Sequence, residues 1–184
     1  MFIQTEETPN PQTLKFNPGR EVSPEKSHSY ENIEEAKNSP LARRMFSIEG
    51  VMAVFLGKDF VSISKSKSID WQVMKPVILN HLMQHFMSNE KAVEIISEDL
   101  KVEVSEEDKE VAQQIEELLE TRVRPSVASH GGDIVFHGYS KGVVELEMKG
   151  ACSGCPSSLA TLKMGVENML KHYVPEVMEV KEVS

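Results

Sequence analysis

Lys149-Gly150-Ala151-Cys152-Ser153-Gly154-Cys155-Pro156-Ser157-Ser158 is the stretch on which the reading of this chain turns, and it holds both of its cysteines. Upstream, residues 143–149 alternate as a strand does; downstream, residues 159–173 carry a helical pattern. Pro156 suits the first position of that helix, where a missing N–H leaves nothing unpaired. Cys155 then falls at the N-cap and Cys152 in the loop just before it. Backbone N–H groups and the helix dipole would point towards both sulfurs, a setting that favours thiolate.

A C-x-x-C pair on its own admits a thioredoxin-like redox couple, half of a zinc site or half of an iron–sulfur site. The common iron–sulfur clusters take four thiolates, and the chain has 2 cysteines. A cluster therefore requires a second subunit or ligands from elsewhere. Two C-x-x-C pairs, one from each of two chains, would equally make a tetrahedral zinc site.

The composition is that of a globular protein. Its 184 residues are 40% hydrophobic and 27% charged, and its formal net charge of -9 argues against nucleic acid as a partner. No apolar run reaches membrane-spanning length. Residues 1–7 resemble neither a signal peptide nor a basic transit peptide. The expectation is a cytoplasmic protein, or a mature organellar chain of the mitochondrial matrix that has lost its targeting segment. In a reducing compartment, two cysteines point to function before a disulfide staple.

The N-terminal part reads as a small α+β domain over residues 1–97. Strands are expected over 2–5 and 13–16, interrupted by Thr8-Pro9-Asn10-Pro11. Residues 20–38 read as loop. Ser39-Pro40 opens a short helix over 41–47, and 51–56 with 60–64 form a hairpin around Gly57-Lys58-Asp59. Asp70 caps a helix running to about 88, whose apolar face is Trp71, Met74, Ile78, Leu82 and Phe86. Pro76 is expected to bend it. His81 and His85 lie one turn apart, a metal-compatible spacing. The helix lacks the glutamate of a zinc-protease motif, so plain packing or surface histidines are expected.

Residues 98–110 hold seven acidic and two basic side chains, which marks them as a solvated linker. A second domain over 111–184 follows. Ser105 and Asp108 resemble a capping box for a helix from about 107, with Val111, Ile115, Leu118, Leu119 and Val123 on its apolar face. Pro125 punctuates it and His130-Gly131-Gly132 ends it. Strands are expected over 134–139 and 143–148, turning at Ser140-Lys141-Gly142. The helix after the cysteines presents Leu159, Leu162, Val166, Met169, Leu170 and Tyr173, Pro175 stops it, and a short edge strand closes the chain. The order helix, strand, strand, helix, strand gives a small sheet with both helices packed on it, so the fold class is α+β in two small domains.

These residues carry a family resemblance. Gly131-Gly132-Asp133-Ile134, the hairpin, Gly150 to Ser158 and Leu162-Lys163 resemble the NifU C-terminal domain, and Arg122-Val123-Arg124-Pro125 is similar to its usual upstream segment. Thr5-Glu6-Glu7-Thr8-Pro9-Asn10-Pro11 with Leu14-Lys15-Phe16 resembles the N-terminal domain of Nfu proteins. The resemblance implies an iron–sulfur scaffold or carrier and not an enzyme. It implies a 4Fe–4S cluster bridged between two subunits, with Cys152 and Cys155 of each as its ligands. Apo iron–sulfur proteins and upstream cluster-assembly proteins are the implied partners, with homodimerisation on cluster binding. His130 departs from the pattern, since the family commonly has an acidic residue before its Gly-Gly-Asp. Beside a glycine turn, His130 is expected to be exposed.

Overall fold

A computed structural model describes residues 2–94, 108–154 and 156–183, apart from the side chains of residues 154 and 156–159. The chain divides into two units, Met1–Ser97 and Glu98–Ser184. The acidic run lies outside the described residues except for 108–110.

In the first unit, five antiparallel strands form one sheet in the order β1-β2-β5-β4-β3. They are β1 (Gln4–Glu7), β2 (Thr13–Asn17), β3 (His28–Tyr30), β4 (Val51–Leu56) and β5 (Val61–Lys65). The register aligns Leu14 with Ile63, Phe16 with Val61, Val54 with Ile63 and Tyr30 with Val54, so these side chains share one face. That face shares a core with α1 (Pro40–Phe46) and α2 (Trp71–Met87), through Leu41, Met45, Met74, Ile78, Leu82 and Phe86. Ser39 caps α1, its hydroxyl accepting from Ala42 N–H at 3.0 Å and donating to the Ala92 carbonyl at 2.6 Å. Asp70 caps α2 through Gln72 N–H at 2.8 Å. Each cap contributes about 1 kcal/mol. The helix runs on through Pro76 to Met87.

Two expectations for this unit are corrected. The first strand lies at Gln4–Glu7, two residues beyond its expected place, because pairing of Thr5 with Phe16 sets the ladder. Phe2 is left exposed. Residues 20–38 are not all loop: they hold β3 and a 3-10 turn, Glu35–Asn38. β3 depends on distant pairing with β4. The turn is set up by Asn32, which accepts from Glu35 N–H at 3.0 Å while its amide donates to the Glu35 carboxylate at 2.7 Å.

The described part of the second unit has α3 (Lys109–Leu118) as its first α-helix, so Lys109 and Glu110 of the acidic run are the first residues of that helix. Ser105, the other half of the expected capping box, lies outside the described residues. A π-helical turn, Leu119–Val123, joins α3 to α4 (Arg124–Ser129). Pro125 has no N–H to offer the preceding turn, and the ladder widens just ahead of it. Ile115, Leu119, Val123 and Val127 stay on the buried side throughout. Gly131, with φ +76°, then turns the chain into β6 (Gly132–Ser140).

β6 pairs antiparallel with β7 (Val143–Gly150) around the two-residue turn Lys141-Gly142. Both turn residues have positive φ, +49° and +85°, the hairpin turn that matches strand twist. A bulge between Phe136 and Gly138 leaves His137 as the extra residue. After β7 come a 3-10 turn, Ala151–Gly154, and α5 (Pro156–Tyr173). The last strand, β8 (Glu179–Glu182), lies parallel to β7. A parallel neighbour requires a crossover, and α5 supplies it. Glu167 of α5 accepts Val180 N–H at 3.1 Å and the Lys171 ammonium at 2.6 Å. These bonds, the Lys171 contact first, hold its carboxyl below the usual range.

Of the expected α5 face, Val166 and Leu170 are buried, while Leu162 and Met169 pack partly against the core. Tyr173 is a correction: it is 46% exposed, with the Arg122 guanidinium 4.7 Å from its ring centre. Helical spacing placed it on the apolar side, but it is the last residue of α5 and stacks with Arg122 instead of joining the core.

Candidate functional site

Cys152 sits at the second position of the 3-10 turn that leaves β7. Gly150, with φ +71°, turns the strand end, and Ser153 Oγ donates to the Gly150 carbonyl at 2.8 Å. Ala151 N–H donates to the Gly131 carbonyl at 3.1 Å, which ties the turn to the start of β6. Gly132 pairs with Gly150, and a Cβ at Gly132 would stand 2.6 Å from Cys152 Sγ and 2.8 Å from the Lys149 carbonyl oxygen. Only a glycine backbone fits under this cysteine.

The Cys152 side chain points inwards. It is 7% exposed and belongs to the core made with Ile134, Leu146, Met148 and Val166. Sequence reasoning expected a cysteine on a loop but did not foresee this shelter. Cys155, the expected N-cap residue, lies outside the described residues, and α5 begins at Pro156 as its missing N–H suggested.

Charged groups follow along the hairpin from this turn. Asp133 is buried and receives Arg124 Nε at 3.1 Å and Ile134 N–H at 2.8 Å. On the same hairpin, Glu147 takes His137 Nε2 at 2.7 Å and lies 3.5 Å from the Lys149 ammonium, so the Lys149 charge is already engaged. His130 is exposed at the end of α4, as expected.

The histidine pair of the first unit is not brought into a metal site: no group of three His, Cys, Asp or Glu side chains able to hold a metal is found among the described residues. His85 is fully buried, with Nδ1 3.6 Å from Glu90 Oε2, and Glu90 also faces Arg44 at 3.5 Å. Burial pushes the His85 imidazole below its ordinary value of 6.5, and the nearby Glu90 offsets this in part. The folded chain thus binds fewer protons than the unfolded chain once pH falls below 6.5. Stability is full above that pH and declines on acidification towards the lowered folded-state value. Urea midpoints of the first unit, followed by Trp71 fluorescence, should drop between pH 7.5 and pH 5.5, and His85→Leu should flatten the slope. An unchanged slope in His85→Leu would assign the pH dependence to other groups.

Both halves of the sequence are similar to known proteins. The family described as "Scaffold protein Nfu/NifU N terminal" matches residues 3–89, and the "NifU-like domain" matches residues 115–181, which include both cysteines. Over all 184 residues the chain is 47% identical to a Drosophila ananassae protein named "NFU1 iron-sulfur cluster scaffold homolog, mitochondrial", and it spans 64% of that protein's length. A Drosophila sechellia protein of the same name is also 47% identical, and the chain spans 65% of it. A solution structure of a NifU-like protein from Saccharomyces cerevisiae is 29% identical, with a TM-score of 0.46, over 50% of this chain and 84% of that one. With an N-terminal Nfu domain followed by a NifU-like domain, the chain belongs to the Nfu family.

Proposed function

We propose that this chain is a non-catalytic iron–sulfur scaffold and carrier. It binds a 4Fe–4S cluster as cargo between two copies of itself, through Cys152 and Cys155 of each, and passes it to apo iron–sulfur proteins. The observation that carries this reading is the cysteine count. The chain has 2 cysteines, both in the glycine-flanked sequence Gly150 to Cys155 of the NifU-like domain. Four thiolates at one cluster then call for two chains. The names of the Drosophila relatives support the scaffold role and a mitochondrial setting. Upstream assembly proteins are the proposed source of the cluster.

The chemistry suits transfer. Each chain commits two thiolates, so the cluster sits at a boundary between copies. Thiolates of an acceptor can replace those of the carrier one at a time. Burial of Cys152 in the single chain weighs against a solvent-facing redox nucleophile.

The test is anaerobic reconstitution with iron and sulfide, followed by visible absorption, metal analysis and light scattering. The expected product is a brown dimer with one cluster per two chains, which activates an apo 4Fe–4S enzyme in the presence of an iron chelator. A colourless zinc-bearing dimer, or a metal-free chain that reduces disulfides, would replace this reading. Complete loss of activation under chelator would defeat the carrier step while leaving the binding site standing.

A further inference from the structure

The floor under Cys152 is anchored from outside the hairpin. Arg124, the first residue of α4, reaches across to the start of β6. Its Nε donates to Asp133 Oδ1 at 3.1 Å and to the Ile134 carbonyl at 3.3 Å, and its Nη2 donates to Asp133 Oδ2 at 3.4 Å. Its Nη1 holds the Glu120 carboxylate one helical turn back, across the π-helical turn. Asp133 Oδ1 also accepts Ile134 N–H at 2.8 Å. The Asp133 side chain is 12% exposed and that of Arg124 33% exposed, so this contact is partly shielded from water.

On the far side of the same four residues lies the cysteine turn. The Gly131 carbonyl receives Ala151 N–H, and Gly132 packs directly beneath Cys152 Sγ. In the ladder, Asp133 is paired with Lys149 and Gly132 with Gly150. Residues 131–134 are thus held by α4 on one side and hold the ligand turn on the other. A planar guanidinium that bridges a carboxylate and a backbone carbonyl constrains direction as well as distance.

We propose that Arg124 and Asp133 are positioning residues: together they set the height of the Gly131–Gly132 floor and so keep the Cys152 thiol in its sheltered place. This rests on the proposed function for its purpose, the presentation of Cys152 to a shared cluster. The geometric claim concerns the cluster-free chain and is tested there. Lysine at position 124 keeps the charge but cannot reproduce the fork, so Arg124→Lys should fall between wild type and Arg124→Gln.

The test is alkylation of Cys152 by N-ethylmaleimide in the full, metal-free chain at fixed pH. It is read by peptide mass spectrometry and scaled to the rate in denaturant. Arg124→Gln and Asp133→Asn should each speed alkylation about tenfold, the change expected on losing one charge-assisted hydrogen bond from the closed state. Acceleration should be flat across low urea, as local opening is, whereas global unfolding would climb with urea. Lys171→Gln, which removes the Lys171–Glu167 contact of the same unit, should leave the rate unchanged.

Wild-type rates in folded Arg124→Gln and Asp133→Asn would overturn the proposal. So would an acceleration that follows global unfolding. If Arg124→Gln does not fold, Asp133→Asn and Arg124→Lys decide by the same readout. Reconstituted variants should also lose their visible absorbance to chelator about tenfold faster than wild type, as the weaker closed state implies. A wild-type chain that takes up no cluster would instead defeat the proposed function and leave the alkylation result intact.

Discussion

A Cys152→Ala chain reconstituted with iron and sulfide should come off the column colourless and with no more than background iron. The same is expected of Cys155→Ala. Each substitution leaves one cysteine per chain, so two copies offer two thiolates where a cluster takes four. Alanine is chosen at position 152 because it removes the sulfur without placing a new polar atom in the core. Iron and sulfide analysis, the visible spectrum and far-UV circular dichroism together check the outcome. Wild-type stoichiometry in either folded variant would remove Cys152 and Cys155 from the ligand set.

The second large effect is expected at Gly132. An alanine Cβ there would lie 2.6 Å from Cys152 Sγ, 3.1 Å from Cys152 Cβ and 2.8 Å from the Lys149 carbonyl oxygen. Lys149 O is backbone within the β6–β7 ladder, and Cys152 is packed in the core, so neither is a flexible chain end that swings aside. Gly132→Ala should therefore destabilise the second unit by about 1–3 kcal/mol, the usual penalty for overpacking. Gly132→Val should cost more and abolish cluster uptake. Urea unfolding by circular dichroism measures the loss, with Trp71 fluorescence reporting the first unit separately. If Gly132→Ala is as stable as wild type, the close approach of β6 to the cysteine turn is not a constraint.

Features written in local chemistry were legible in the sequence. Ser39 and Asp70 are capping residues at the heads of apolar periodic runs, and both caps form. Ser140-Lys141-Gly142 and Gly57-Lys58-Asp59 sit between alternating segments, and both hairpins close there, with Ser140 taken into β6 and Phe60 added to the other loop. Pro156 marks the first residue of α5. What escaped reading depends on partners far along the chain. β3 has three residues and is recruited by β4, over twenty positions away, so no internal periodicity announces it. The exchange between Asn32 and Glu35 had a local signature, a polar residue with glutamate three positions on, and could have been read.

At the site, the C-x-x-C pattern and its flanking glycines singled out Cys152 and Cys155, yet spacing carries no information about depth. The inward turn of Cys152 follows from the close approach of Gly132, twenty residues earlier, and the pairing of Gly132 with Gly150 is a matter of register. Arg124 and Asp133 were visible as parts of motifs. Their contact spans a helix end, a glycine turn and a strand start, so neither 3.6 nor 2 residue periodicity connects them.

The three-stranded sheet ends in two borders that repel recruitment. β6 carries the bulge at His137, which interrupts the even row of amides and carbonyls a visiting strand would need. β8 is four residues long, and its Glu179, Lys181 and Glu182 are exposed and charged. Short, charged or bulged borders are how sheets discourage edge-to-edge polymerisation. Two copies of this unit thus find little to gain by extending each other's sheets. Under the proposed function, their meeting is left to the cysteine turn, and assembly becomes contingent on cargo.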